Sequence, residues 1–261
     1  MNDYRRVLLC MGAVTQAARL VDFAAALAGP QGAELEALCA PDAIDCEATR
    51  KLLRETGARG ACRGVPEGAA ALAEFTRGAD LLVLSQPYLG SAHAAAEQFA
   101  SQLLLASSCP LLFVPRPQEL GRSCGSRVLV AWDGGRQSAR ALRDALPLLQ
   151  RAEQVTLHAY GSAEGTGART LAPACDYLRS HGVQARHAVR HKVDVDYASG
   201  SATLPSLGAG IDELLLSDAA DLGADLLVMG GYGHSRAREW VLGGVTRSIL
   251  GSMTLPVFMS H

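Results

Sequence analysis

The chain repeats itself, and that repetition limits its fold more than any other feature. Residues 6–29, RVLLCMGAVTQAARLVDFAAALAG, read like residues 127–150, RVLVAWDGGRQSARALRDALPLLQ. Both run from an apolar strand through a short turn into an Ala/Leu-rich segment of helical period. The string GADLLVL at 78–84 returns as GADLLVM at 223–229, and LLLASSCPLLFVP at 103–115 has its counterpart in SILGSMTLPVFM at 248–259. The separation between the copies widens along the chain, so the second copy carries an insertion. Its least readable part lies around Asp194–Gly210, where Ser, Gly and Pro mark a long loop that covers a site, joins a partner or stays mobile.

Each copy reads β-α-β-α-β-α-β-α-β. Strands are expected near 6–11, 33–40, 59–64, 80–85 and 110–114, and again near 127–132, 154–160, 183–191, 224–229 and 255–259. Strands at this spacing, separated by helical patterns, imply an α/β fold with a parallel sheet covered on both faces. Right-handed crossovers then leave few topologies. Pro115 through Ser126, rich in Pro, Gly and Ser, reads as a linker. The expected organisation is a first domain at 1–116, a linker at 117–126 and a second domain at 127–261.

Composition narrows the class. With 49% hydrophobic residues and a formal charge of −2, the chain is an ordinary globular one and no wholesale nucleic-acid or acidic-membrane binder. The longest apolar runs, such as Leu81–Leu84 and Leu226–Met229, are strand-sized, whereas a spanning helix needs about 20 such residues. Met1–Arg6 lacks a signal peptide's apolar stretch, so a cytoplasmic location is expected. The cysteines, 7 in all, include no C-x-x-C pair and read as reduced residues buried mostly in strands.

Chemistry concentrates after the fourth strand of the second copy. Leu226–Met229 runs into Gly230-Gly231-Tyr232-Gly233-His234-Ser235-Arg236, and Gly243-Gly244-Val245-Thr246 then opens a helix. Glycines let backbone approach a ligand closely, and the N–H groups opening a helix have no partner within it. Together they form a surface of donors suited to a polyphosphate. In open α/β sheets such ligands sit at the carboxyl ends of strands where the strand order reverses.

This segment resembles the nucleotide-binding signature of the universal stress protein family, G-x2-G-x9-G-(S/T), met here by Gly230, Gly233 and Gly243. The resemblance extends over nearly the whole chain as a tandem pair of domains. It implies two adenine nucleotide α-hydrolase-like, Rossmann-like domains, each a five-stranded parallel sheet of order 3-2-1-4-5, with ATP held between strands one and four. By the same resemblance Asp133 binds the adenosine part, and the backbone of Ala159, with His158 before it, contacts adenine. Phosphate contacts come from Gly230, Gly233, Gly243, Gly244, Val245 and Thr246, with Mg accompanying the nucleotide. The expected Ser/Thr after Gly243 is Gly244, leaving its N–H and the hydroxyl of Thr246 as substitutes.

The first copy departs further. Gly12 stands where Asp133 would, and Ser85-Gln86-Pro87-Tyr88 replaces Gly230-Gly231-Tyr232-Gly233. Pro87 lacks an N–H and Tyr88 resists a glycine's backbone angles, so one nucleotide per chain is expected. The family also pairs domains through their last strands, which implies an intrachain pseudo-dimer through Leu111–Val114 and Leu255–Met259, and homodimers beyond it.

Blander readings stand beside these. Asp133 alternatively caps the helix that starts near Arg136, and the glycines are alternatively plain turn residues. His234 and Arg236 steer phosphates or do nothing specific. His187 and His191, with Asp194 and Asp196, form a metal site or a polar strand edge. No general base faces a positioned nucleophile, so a binding module for stress response or signalling is favoured over an enzyme. Two alternatives remain: an interaction protein that has lost its ligand, and an α-hydrolase enzyme, for which Trp132–Ser138 is a poor match to a pyrophosphatase loop.

Overall fold

The computed structural model describes residues 3–11, 17–29, 32–39, 46–57, 59–86, 93–115, 124–160, 164–190, 210–231 and 244–261. Most of the linker and of the insertion, together with Gly12, Pro87, Tyr88, His191, Asp194, Asp196 and residues 232–243, lie outside these.

The first half contains β1 (Arg6–Met11), α1 (Ala17–Ala28), β2 (Glu34–Cys39), α2 (Cys46–Glu55), β3 (Gly60–Gly64), α3 (Ala69–Phe75), β4 (Leu81–Ser85), α4 (His93–Ala106) and β5 (Leu111–Val114). The second contains β6 (Arg127–Trp132), α5 (Arg136–Asp144), α6 (Leu146–Leu149), β7 (Gln154–Tyr160), α7 (Thr166–Ser180), β8 (Ala185–Arg190), α8 (Ile211–Asp221), β9 (Leu226–Gly230), α9 (Gly244–Ser252) and β10 (Val257–Ser260). Every expected strand is present within a few residues of its expected bounds.

The expected five-stranded sheets are halves of one larger sheet, joined through the last strands, Leu111–Val114 and Val257–Ser260. All ten strands form one sheet of order β3-β2-β1-β4-β5-β10-β9-β6-β7-β8. Neighbours are parallel within each half, and the halves meet where β10 runs antiparallel to β5, with Phe258 opposite Leu112. The physical reason is edge pairing. A last strand as apolar as LLFV or VFMS would otherwise leave its N–H and C=O groups unpaired.

Both faces of the sheet are covered, so the inner strands are apolar on both sides. In β4, Leu81 and Val83 point into the core under α1, α2, α5 and α7, while Leu82 and Leu84 point into the core under α3, α4, α8 and α9. The outermost strands are the most polar, with Arg63 on β3 and Arg186, His187 and Arg190 on β8, while β2 and β7 bury Glu36, Thr156 and His158.

The recurring GAD string has a structural cause. The Asp80 carboxylate accepts the backbone N–H groups of Arg5 and Arg6 at 2.7 and 2.9 Å. Asp225 does the same for Gly125, Ser126 and Arg127 at 2.9–3.0 Å. Each aspartate thus fastens the entry of a first strand beside the fourth, which sets the register of the central pair. The halves are also tied outside the sheet. Tyr4 donates its hydroxyl to the Asp144 carbonyl at 2.7 Å, Gln86 donates to the Leu250 carbonyl at 2.9 Å, and Arg247 pairs with Glu97 at 3.2 Å.

Candidate functional site

The strand order of the second half reverses between β6 and β9, which pair in parallel from Val128–Leu226 to Val130–Val228. Beyond β6 the chain turns onto one face of the sheet as α5, and beyond β9 it returns on the other as α9. The crevice between two such departures is where open α/β sheets take ligands.

On the β6 side, the Asp133 carboxylate accepts the Gly135 N–H at 2.7 Å and the Ser138 hydroxyl at 2.6 Å. It therefore sits beside the opening of α5, where its charge is favoured by the helix dipole, and it remains only half-buried. Gly135 is the N-cap residue, and no side chain caps the helix. Gly134 adopts a positive φ of 75°, and a Cβ on it would stand 2.9 Å from the Thr166 carbonyl carbon. The first turn of α7 thus presses directly on this loop. Trp132 Nε1 donates to Thr170 Oγ1 at 3.0 Å, and a Cβ on Gly167 would lie 3.1 Å from the Trp132 carbonyl oxygen.

On the β9 side, Gly230 ends the strand under the start of α5. A Cβ there would meet the Ser138 nitrogen at 2.5 Å and the Gln137 carbonyl carbon at 2.6 Å. Gly244 opens α9 exposed, with no atom of the described residues within 4 Å of where a Cβ would project. Val245 is half-buried, and Thr246 is 4% exposed, facing the core. Ala159 is buried on β7 beside Trp132 on β6. Gly233, Gly243, His234 and Arg236 fall outside the described residues. The structure thus brings Asp133, Gly230 and Gly244 to the carboxyl edge, with Ala159 one strand away.

The first half differs at the matching place. Ser85 ends β4 where Gly230 ends β9, and the Gln86 side chain is committed to the Leu250 and Gly251 carbonyls of α9.

A polar cluster on the opposite face of β7 was not singled out from sequence. Asp218 of α8, 3% exposed, accepts hydrogen bonds from Tyr160 at 2.9 Å and from both Nε and Nη2 of Arg190, and contacts His158 Nδ1 at 2.9 Å. Burial pushes its carboxyl upward, but the Arg190, Tyr160 and His158 hydrogen bonds outweigh that and hold it below the usual carboxylate range. Burial, and then the Asp218 charge, push the Tyr160 hydroxyl well above the usual tyrosine range. The one sequence signal was an aspartate on the apolar side of IDELLLSDAAD.

Among the described residues no three His, Cys, Asp or Glu side chains stand together as a metal site, and no helix is long and apolar enough to cross a membrane. His187 lies on β8, but its expected metal partners are not among the described residues.

The profile of the Universal stress protein family matches residues 126–261. The chain belongs to the universal stress protein family. Among solved structures, a universal stress protein from Archaeoglobus fulgidus DSM 4304 is similar at a TM-score of 0.70 and 13% identity, over 98% of this chain and 97% of that one. A functionally unknown protein from Pseudomonas aeruginosa PAO1 is similar at 0.65 and 16% identity, over 98% and 92%. These likenesses concern the fold, and they span both halves. No curated protein sequence matches the chain.

Proposed function

We propose that the protein binds one adenine nucleotide, ATP or a close relative, at the carboxyl edge of β6 and β9, and acts as a stress-response or signalling module. The observation that carries this reading is the convergence of a half-buried Asp133 carboxylate and the open N-terminus of α9 at the reversal point of the second half. Asp133 would hold the adenosine part and the Ala159 backbone the base. Gly230, Gly233, Gly243, Gly244 and Val245 would surround the phosphates with N–H donors. With no cluster of three metal-ligating side chains nearby among the described residues, Mg would arrive with the phosphates.

In this reading the chain is a tandem of two units, 1–116 and 127–261, joined by 117–126. The first unit has lost its nucleotide site, since Gln86 is spent on the junction with α9. Binding changes the loops around the site, and partners in the cytoplasm respond to that difference. Catalysis is not part of the reading.

A second reading, an interaction protein without ligand, draws on Asp133 being already engaged by the Gly135 N–H and the Ser138 hydroxyl and on the burial of Thr246. Titration calorimetry separates the two. We expect a single ATP per chain, with Asp133→Ala weakening binding by about ten- to hundredfold, the worth of a charged hydrogen bond. Gly244→Ser, which supplies the missing hydroxyl, is expected to tighten it. Two equivalent nucleotides per chain would sink the asymmetry, no binding at millimolar ATP would favour the second reading, and rapid pyrophosphate release would reveal an enzyme.

A further inference from the structure

The first half carries chemistry of its own at the end where its nucleotide residues are missing. Cys39 closes β2 and Cys62 sits in the middle of β3, with their sulfurs 3.2 Å apart. The ladder sets Ala37 beside Cys62 and Cys39 beside Gly64, so the two cysteines are diagonal neighbours. Both project into the same core, under α2, whereas Cys10 on β1 packs against the core on the other side of the sheet. Register gives Cys39 a telling position. Met11 lies opposite Cys39 as Trp132 lies opposite Ala159, so Cys39 is the topological counterpart of Ala159.

We propose that Cys39 and Cys62 are a redox pair, oxidised by peroxide to a disulfide that links β2 to β3. An S–S bond measures about 2.05 Å, so the sulfurs must close by roughly 1 Å from their present contact, a side-chain adjustment. The outer strand can yield that much. β3 has a single ladder partner, spans five residues, and begins and ends in glycine. A Cβ on Gly64, beside Cys39, would meet no atom within 4 Å.

Cys62, on the edge strand, is the less buried of the pair, 8% exposed against 0% for Cys39, and is the one that opening of the edge presents to peroxide. Opening of such an edge is a low-energy local event. Arg50 of α2 donates to the Cys62 carbonyl at 3.4 Å, tying α2 to the edge strand at this residue. Attack of the Cys62 thiolate breaks the peroxide O–O bond, gives a sulfenic acid and releases one water. The Cys39 sulfur then displaces the oxygen as a second water and forms the S–S bond. The two thiols lose two protons and two electrons, and the peroxide is reduced. Contact between the sulfurs makes the second step intramolecular, which lets it outrun further oxidation. Transient disulfides of this kind are the form that redox sensing takes in reducing compartments. The proposal does not depend on nucleotide binding.

The test is a peptide map of the full chain after peroxide treatment, alkylation under denaturing conditions and digestion without reductant. We expect a peptide pair joined through Cys39 and Cys62 with the loss of two hydrogens, reversed by dithiothreitol. Cys10 and Cys109, whose thiols burial pushes up to about 12, remain alkylatable and serve as internal references. Cys62→Ser abolishes the link, and Cys10→Ser leaves it intact. Hydrogen exchange of the β3 amides slows in the oxidised chain. Recovery of both cysteines as alkylated thiols, over-oxidation of Cys62 without a link, or a link from either residue to another cysteine would each overturn the proposal. The unsubstituted chain alone decides it, so a variant that folds poorly does not leave it open.

Discussion

Gly230 shows how a residue legible in sequence is required for a reason sequence does not display. Its place after a strand, within a spaced set of glycines, points to a ligand. The structure adds a steric demand, because a methyl group there would collide with backbone atoms of Gln137 and Ser138, which cannot swing aside. Gly230→Ala is therefore expected to destabilise the folded chain by about 1–3 kcal/mol even without ligand, as overpacking does, read as a lowered urea midpoint. Asp133 is similar. The sequence offered a helix-capping role and a ligand role, whereas Gly135 is the N-cap residue and Asp133 instead holds the Gly135 N–H and the Ser138 hydroxyl beside the helix start. Gly134 gave no comparable sign, because its partner, the first turn of α7, is distant in sequence and reaches it only through packing.

At the level of elements, the strands were legible because nearly every one is a short apolar run bounded by turn residues, and because each appears twice. The cluster joining β7, β8 and α8 was not. Its members, His158, Tyr160, Arg190 and Asp218, are brought together across the insertion, and no local period announces such a meeting. Asp218 carries a pH signature. Its carboxyl is held below the usual range, so its contribution is complete above the unfolded value of about 3.9 and fades as pH falls below that. Asp218→Asn is expected to cost on the order of 2 kcal/mol at neutral pH, less than for a fully buried pair because the Arg190 side chain is 46% exposed. The gap between the two proteins in denaturant melts should narrow as pH drops below about 4. A gap that is constant with pH would remove the carboxylate's charge from the explanation.

For the whole molecule, the family resemblance implied that the last strands pair, whereas periodicity alone says nothing about whether the two halves share a sheet. That depends on the β5–β10 edge, where Val257, Phe258 and Met259 face Phe113, Leu112 and Leu111. Residues 124–261 produced without the first half would bare β10 along its length. We expect this fragment to run as a dimer in light scattering, through β10 against its own copy, since a short apolar edge seeks a partner. A monodisperse monomer would mean that the bonds outside the sheet, such as Glu97 with Arg247, hold the halves together and the strand pairing merely follows.

The antiparallel meeting of β5 and β10 has a consequence for traffic to and from the molecule. Strands of the two halves point in opposite directions, so the thiol pair ending β2 and the glycine-lined crevice ending β9 open on opposite rims of one continuous sheet. Nothing that docks over one rim shades the other. If both proposals hold, an oxidant and a nucleotide would address the same chain from two sides, and any coupling between them would pass through the strands of the shared sheet.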